Sequence, residues 1–287
     1  MLISFNDKLS EPLSVVLGYF DCAHTGHREI FKKAKSLNEN FAVFTIKGNI
    51  FKGDDVYGFE DKCLLFSECG ASFIIYADGN EGFFNTSPFG FLEKFTNNFN
   101  VKSFVCGEDF SFGKNAEGNV EFLRNYCQNK GIELCVVSTK TFNGEKISSG
   151  AIKKLLACGK ISLANELLGS PYFIKGEVVH GRGEGAKKTV ATANIRLDNS
   201  KLHLKRGVYA TKAIVDGREF CALTNYGDCP TFACDKECIE THLIDFQGVL
   251  YGKQIKVVFL DYLREIKTFS SPSELKKQIL KDMEYFQ

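Results

Sequence analysis

The stretch Val15-Val16-Leu17-Gly18-Tyr19-Phe20-Asp21-Cys22-Ala23-His24-Thr25-Gly26-His27 reads as a buried strand, a glycine-bearing turn and the entry to a helix that runs from Arg28 to Leu37. Similar short apolar runs recur at 41–44, 72–76, 103–106 and 134–137, separated by longer segments of helical period. Runs of four or five apolar residues suit strands covered on both faces, so the first half of the chain predicts a Rossmann-like parallel sheet clothed in helices. Ser87 followed by Pro88 predicts a helix start, with serine at the N-cap and proline at the first helical position, carrying Phe91, Leu92 and Phe95.

After about residue 172 the period shortens from 3.6 towards 2, in Tyr172–Val179, Gly207–Val215, Phe220–Leu223, Ile239–Phe246 and Gln254–Leu260. Asp216-Gly217 predicts a tight hairpin between two of these runs. The second half therefore predicts a small antiparallel β-barrel or sandwich. A capping box at Ser271-Pro272-Ser273-Glu274 opens a terminal helix with Leu275, Ile279 and Met283 on one face. Ala151–Leu156 and Leu163–Leu168 read as short helices, and Gly169-Ser170-Pro171 can end the second. The expected division is 1–156, a helical linker at 157–171, and 172–287.

Composition narrows the function classes. Among 287 residues, 44% are apolar, 27 are Phe and none is Trp, the profile of a globular protein. A net charge of +1 offers no broad field for nucleic acid or an anionic membrane, so phosphate binding has to be local. Neither a signal peptide nor a stretch of roughly 20 apolar residues is found. Eleven Cys without those features are read as reduced thiols, and the expected location is cytoplasmic. No obligate protein partner is inferred.

His24-Thr25-Gly26-His27 stands where a parallel sheet places ligands, at the C-terminal edge of a strand and the N-terminus of a helix. Two imidazoles flanking a glycine can approach a phosphate chain and stabilise charge as an α-phosphate is attacked. The bare spacing alone favours two ordinary surface or turn histidines, and the strand-to-helix position reverses that reading. Ser148 or Ser149 can cap a second helix whose free N–H groups, with Lys153, meet phosphate.

Gly18-Tyr19-Phe20-Asp21 with His24-Thr25-Gly26-His27 resembles the nucleotidyltransferase superfamily marked by HxGH. The surrounding sequence is most similar to the prokaryotic bifunctional riboflavin kinase/FAD synthetase family. The similarity extends through Gly107-Glu108-Asp109-Phe110-Ser111-Phe112-Gly113, Ile147-Ser148-Ser149 and much of the second half. It implies AMP transfer from Mg-ATP to FMN, giving FAD and pyrophosphate. Gly18, Phe20, His24 and His27 would belong to the ATP site, with Asp109 on a loop near the reacting phosphate. Two departures stand out. Gly150 and Lys153 occupy positions that are usually Thr and Arg, and Phe44–Asn49 replaces a usual Phe-x-Pro-His-Pro loop.

In the second half, Gly181, Gly183 and Gly185 alternate before Ala186-Lys187-Lys188, a segment able to bend around phosphate or to form a loose basic hairpin. Thr192 and Asn194 alternate on one face if extended, so both could approach the same Mg2+ or phosphate. This region resembles the family's riboflavin kinase signature, with Thr189-Val190-Ala191 in place of Gly-Phe-Pro before Thr192-Ala193-Asn194. Asn225-Tyr226-Gly227 through Pro230-Thr231-Phe232 matches a further family motif. Strand alternation puts Glu240 on the face opposite Ile239, Thr241 and Leu243, and the resemblance assigns it as the base for the riboflavin 5'-hydroxyl. The implied small-molecule partners are ATP, riboflavin, FMN and FAD, with Mg2+ as cofactor. Competing expectations are a single-function FAD synthetase with a weakened kinase half, an HxGH enzyme for an unrelated phosphate monoester, and a non-enzymatic flavin-binding protein.

Overall fold

The computed structural model describes residues 1–48, 55–179, 192–196, 203–228 and 237–286, with the side chains of Thr192, Asp228, Glu237, Cys238 and Pro272 left out. Two compact units divide the chain, Met1–Ser149 and Gly150–Gln287.

The first unit contains β1 (Leu2–Ser4), β2 (Leu9–Leu17), α1 (Thr25–Leu37), β3 (Phe41–Lys47), α2 (Phe59–Glu68), β4 (Phe73–Asp78), α3 (Glu81–Phe84) and α4 (Pro88–Asn98). It continues with β5 (Phe99–Gly107), the short pair β6 (Ser111–Phe112) and β7 (Gly118–Asn119), α5 (Val120–Lys130), β8 (Glu133–Val137) and the short pair β9 (Thr141–Phe142) and β10 (Glu145–Lys146). Six strands form a parallel sheet in the order β1-β4-β3-β2-β5-β8. The chain steps outward from β2 to β4, then crosses back to lay β5 beside β2. Connections after these two strands diverge, which opens a crevice beyond their carboxyl ends. The first expected run thus lies at the sheet's switch point.

Phenylalanine fills the core, which accounts for its abundance. Phe5 meets Phe95 and Phe44 at ring-centroid distances of 4.7 and 5.3 Å, and Phe44 meets Phe95 at 5.1 Å in an edge-on contact. Each ring taken fully from water contributes roughly 1.5–3 kcal/mol. The Ser87 hydroxyl accepts the Gly90 N–H at 3.1 Å with Pro88 in the first turn, and α4 buries Phe91, Leu92 and Phe95, as its sequence predicts. The segment Phe44–Asn49, read as a loop, remains strand through Lys47, and Asn49 lies outside the described residues.

The second unit carries α6, which begins at the division (Ser149–Ala157), α7 (Ile161–Leu168), β11 (Phe173–Val179), β12 (Thr192–Arg196), β13 (Gly207–Val215), β14 (Arg218–Asp228), β15 (Glu237–Leu243), β16 (Gln254–Arg264) and α8 (Pro272–Met283). Six antiparallel strands close in the order β11-β12-β15-β14-β13-β16, so the barrel, not the sandwich, is formed. Asp216 and Gly217 both have positive φ, 50° and 76°, the backbone needed for the expected hairpin between β13 and β14. Inside the barrel the hydroxyls of Thr211, Thr224 and Thr241 form a chain of 2.8 and 3.0 Å contacts, with Thr211 donating to the Ala222 carbonyl. These buried polar groups are therefore satisfied.

Asn165 of α7 donates to the Phe259 carbonyl and accepts the Tyr172 N–H, so this helix is fastened to β16. The terminal helix is fastened to β16 by a polar contact. Leu275 is 41% exposed, whereas Asp282 is buried and takes a forked ion pair from Arg264, with Nη2–Oδ2 at 2.8 Å. A planar guanidinium meeting a carboxylate in two bonds orients the helix, with Ile279 and Met283 half-buried. Among the described residues, no helix is long and apolar enough to cross a membrane.

Candidate functional site

The turn after β2 is shaped around its rings. Phe20 has a positive φ of 50° and its ring folds back over Gly18, where a Cβ would stand 2.4 Å from a ring atom. A larger residue there would have to displace the buried Phe20 ring. Phe20 is buried and meets His27 edge-on at 4.8 Å, so it supports the imidazole from the core side. His24 is the N-cap of α1, its Nδ1 accepting the His27 N–H at 3.2 Å. The His27 Nδ1 is hydrogen-bonded to the Cys22 carbonyl, and the two imidazoles stack with centroids 3.5 Å apart.

These bonds assign the ring protons. A carbonyl only accepts, so neutral His27 carries its proton on Nδ1 and leaves a lone pair on Nε2. Neutral His24 uses the Nδ1 lone pair in the cap and keeps its proton on Nε2. His24 can thus donate to an anion without being charged, while His27 gains a second donor only on protonation.

Burial, followed by the charge of the neighbouring His27, drives the His24 pKa from 6.5 down to about 2. Burial likewise lowers that of His27 to about 4, opposed by its bond to Cys22 and the charge of Asp109. Both folded values lie below the unfolded one, so the unfolded chain binds more protons on acidification. Stability from this pair is complete above about pH 6.5 and declines below it. Between pH 7.5 and 5 the expected loss is up to about 2 kcal/mol per histidine. Urea denaturation at both pH values, for the natural protein and for His24→Asn/His27→Asn, measures it. The same pH dependence in both proteins would show that the imidazoles are not held neutral.

The crevice brings the loop after β5 to this turn. Asp109 is ion-paired with Lys146 of β10, and both charges reach His27. Ser149, the first residue of α6, has its hydroxyl 3.5 Å from the Cys22 thiol, which brings the second candidate turn against the first. Lys153 is half-buried on α6. Lys47 lies with its ammonium 5.6 and 5.8 Å from the ring centroids of Phe59 and Tyr76.

Beside the turn is a cavity of about 800 Å3 lined by Gly18, Phe44, Phe83, Phe91, Phe110 and Phe112 among others. Phe110 and Phe112 lie nearly parallel, 5.3 Å apart. Aromatic walls of this kind suit a flat ring system. Tyr19 also lines it, and the fully buried Lys62 lies 4.0 Å from the Tyr19 ring centroid and 3.6 Å from the Asp55 carboxylate. Sequence reasoning did not single out Lys146 or Lys62, and it named Phe91, Phe110 and Phe112 without assigning them to a cavity wall. The Phe110-Ser111-Phe112 alternation was a usable signal, whereas nothing local distinguishes Lys146 from a surface lysine.

In the barrel unit, Asn194 pairs with Glu240 across β12 and β15, and Glu240 pairs with Asn225 across β15 and β14. Directly paired residues share a face, so the three side chains form a row across three strands. Ile239, Thr241, Thr224 and Tyr226 are buried on the opposite, inner face. Burial raises the Glu240 pKa above the ordinary carboxylate range. The Oδ1 atoms of Asn194 and Asn225 are buried and have no hydrogen-bond partner among the described residues. Thr192 is placed at the start of β12, paired with His242. Gly181, Gly183 and Gly185 lie outside the described residues. Among the described residues no cluster of three or more His, Cys, Asp or Glu could hold a metal ion.

A family model described as FAD synthetase matches residues 6–151, and one described as riboflavin kinase matches 168–287. The bifunctional riboflavin kinase/FMN adenylyltransferase of Bacillus subtilis (strain 168) is 34% identical over 283 residues, covering 93% of this chain and 89% of the relative. Its counterpart from Haemophilus influenzae is 31% identical, covering 97% and 94%. A solved structure described as a macrolide-efflux protein from Streptococcus pneumoniae has a TM-score of 0.87 and 26% identity, over 99% of this chain and 97% of that one.

Proposed function

Because the chain belongs to the prokaryotic bifunctional riboflavin kinase/FAD synthetase family and is a transferase, we propose that it phosphorylates riboflavin with ATP to FMN and adenylylates FMN to FAD and pyrophosphate. The observation that carries the reading is that each matched region holds its own polar site, the stacked His24–His27 turn in one and the Asn194–Glu240–Asn225 row in the other. In this reading residues 1–156 adenylylate, 172–287 phosphorylate, and 157–171 join them. Free thiols at the described cysteines support a cytoplasmic setting.

In the first unit, the Nε2–H of His24 donates to the phosphates of ATP. The free N–H groups at the start of α1 add their partial positive charge. His27, whose pKa rises beside an anion, takes a proton from solvent on Nε2 when ATP binds and so offers a second donor as charge builds on the α-phosphate. The FMN phosphate forms the new P–O bond, and pyrophosphate leaves with the electrons of the broken one. The aromatic cavity holds the flavin ring at the required distance.

In the second unit, Glu240 takes the proton from the riboflavin 5'-hydroxyl while that oxygen forms its bond to the γ-phosphorus and ADP departs. A carboxylate made more basic by burial suits this step. The buried Oδ1 of Asn194, without a partner among the described residues, is an oxygen donor that fits Mg2+, and the family resemblance adds Thr192 to the set. Bound there with ATP, the cation would neutralise phosphate charge.

Incubating the purified protein with riboflavin, ATP and Mg2+, and separating the flavins over time, is expected to give FMN and then FAD. FMN accumulating alone overturns the adenylylation assignment. FAD formed only from supplied FMN favours a single-function FAD synthetase.

A further inference from the structure

The row across β12, β15 and β14 has two asparagines, and the reaction as outlined uses one. Glu240 separates them. With neighbouring strands about 4.8 Å apart, the Asn194 and Asn225 backbones stand about 10 Å from each other. Oxygens on one Mg2+ lie within about 2.1 Å of it, so side chains so placed do not naturally share a cation. The buried Oδ1 of Asn225 needs a partner of its own. It cannot be a thrown-away polar group in the barrel lining, because Thr224 and Tyr226 occupy that face and Asn225 stands with Glu240.

The chemistry of transfer orders the row. The γ-phosphoryl group lies on the side of Thr192 and Asn194, and Glu240 accepts the proton of the attacking hydroxyl. The rest of the attacking alcohol then extends past Glu240 on the β14 side, where Asn225 stands. An alcohol with several hydroxyls supplies the O–H donor that a lone amide oxygen lacks.

We propose that Asn225 is a positioning residue for the acceptor, its Oδ1 accepting a hydrogen bond from a hydroxyl on the ribityl chain of riboflavin. This rests on the kinase reading above. The bond selects a polyol-bearing flavin over the bare ring system and holds the 5'-oxygen against Glu240. A site built around a substrate hydroxyl discriminates against analogues without it, since the buried acceptor is then left unpaired.

The test is steady-state kinase kinetics on the full chain carrying Asn225→Leu, which keeps the volume and removes the acceptor, and Asn225→Thr, which keeps an oxygen on a strand-compatible side chain. Three quantities are read: KM for riboflavin, KM for ATP, and the inhibition constant of lumiflavin, the same ring system with a methyl group in place of the ribityl chain. For Asn225→Leu the riboflavin KM should rise about 10-fold, with the ATP KM and the lumiflavin constant within about 2-fold, and Asn225→Thr should fall between. Parallel weakening of riboflavin and lumiflavin would assign Asn225 to general packing and overturn the proposal. A rise confined to the ATP KM would move it to the nucleotide side, and an unchanged riboflavin KM would leave it without a role; both overturn it as well. If the Leu variant does not fold, an intermediate shift for riboflavin alone in Asn225→Thr supports the assignment and its absence overturns it. A natural protein that makes no FMN from riboflavin defeats the kinase reading itself, whereas an active one with indifferent Asn225 variants defeats only this inference.

Discussion

Replacing His24 and His27 by Asn should lower FMN-to-FAD conversion by on the order of 10²–10³-fold, the usual effect of removing a preorganised donor from a developing charge, and leave riboflavin-to-FMN conversion near its starting rate. The helix should survive the change. His24 caps α1 through a side-chain acceptor, and Asn at an N-cap provides one of the most favourable replacements. The imidazole stack and the Nε2 donors proposed for the phosphates are lost, while the Asn194–Glu240–Asn225 row proposed for the kinase step lies in another compact unit. The measurement is a pair of initial rates, one with FMN and one with riboflavin, on protein whose melting is cooperative. An unchanged adenylylation rate would remove this turn from the chemistry. Equal loss of both activities in folded protein would contradict separate sites.

The separation between what sequence made legible and what it did not follows the range of the interactions. Ser87-Pro88 and Asp216-Gly217 are local devices: a cap bond spans three residues and a turn requires two positive φ values, so residue identity suffices. The strand runs were legible for the same reason, since burial on both faces writes itself as uninterrupted apolar residues. The edge strand Leu2–Ser4 was not, because it is three residues long and Leu2 is half exposed. Lys146 joins Asp109 from 37 positions away, and no pattern around it announces the partnership. Alternation put Glu240 on the correct face of its strand, but its two asparagine neighbours depend on which strands pair and in what register. The capping box made α8 legible, but its anchor was not, because the Arg264–Asp282 ion pair joins two separate elements, while Leu275 is exposed.

Glu240→Gln should reduce riboflavin kinase turnover by on the order of 10²–10⁴-fold, the range usual for general-base catalysis. Glutamine keeps the length of the side chain and one oxygen, so its place in the row between Asn194 and Asn225 is preserved. It lacks the carboxylate proposed to accept the 5'-hydroxyl proton. The raised pKa of Glu240 makes the consequence specific: desolvation has made the carboxylate a stronger base, and an amide has no comparable basicity to offer. Riboflavin KM should therefore change much less than kcat, the opposite of the pattern expected at Asn225. FMN adenylylation should continue, so the variant given riboflavin should make little FMN and little FAD, but given FMN should make FAD normally. Paired kinetics with the two flavins, a melting curve and a riboflavin titration decide the matter. Undiminished kinase turnover would take Glu240 out of the mechanism. A loss accompanied by unfolding or by failure to bind riboflavin would instead make it a structural residue of β15, and normal folding and binding with turnover lost would leave proton acceptance as its role.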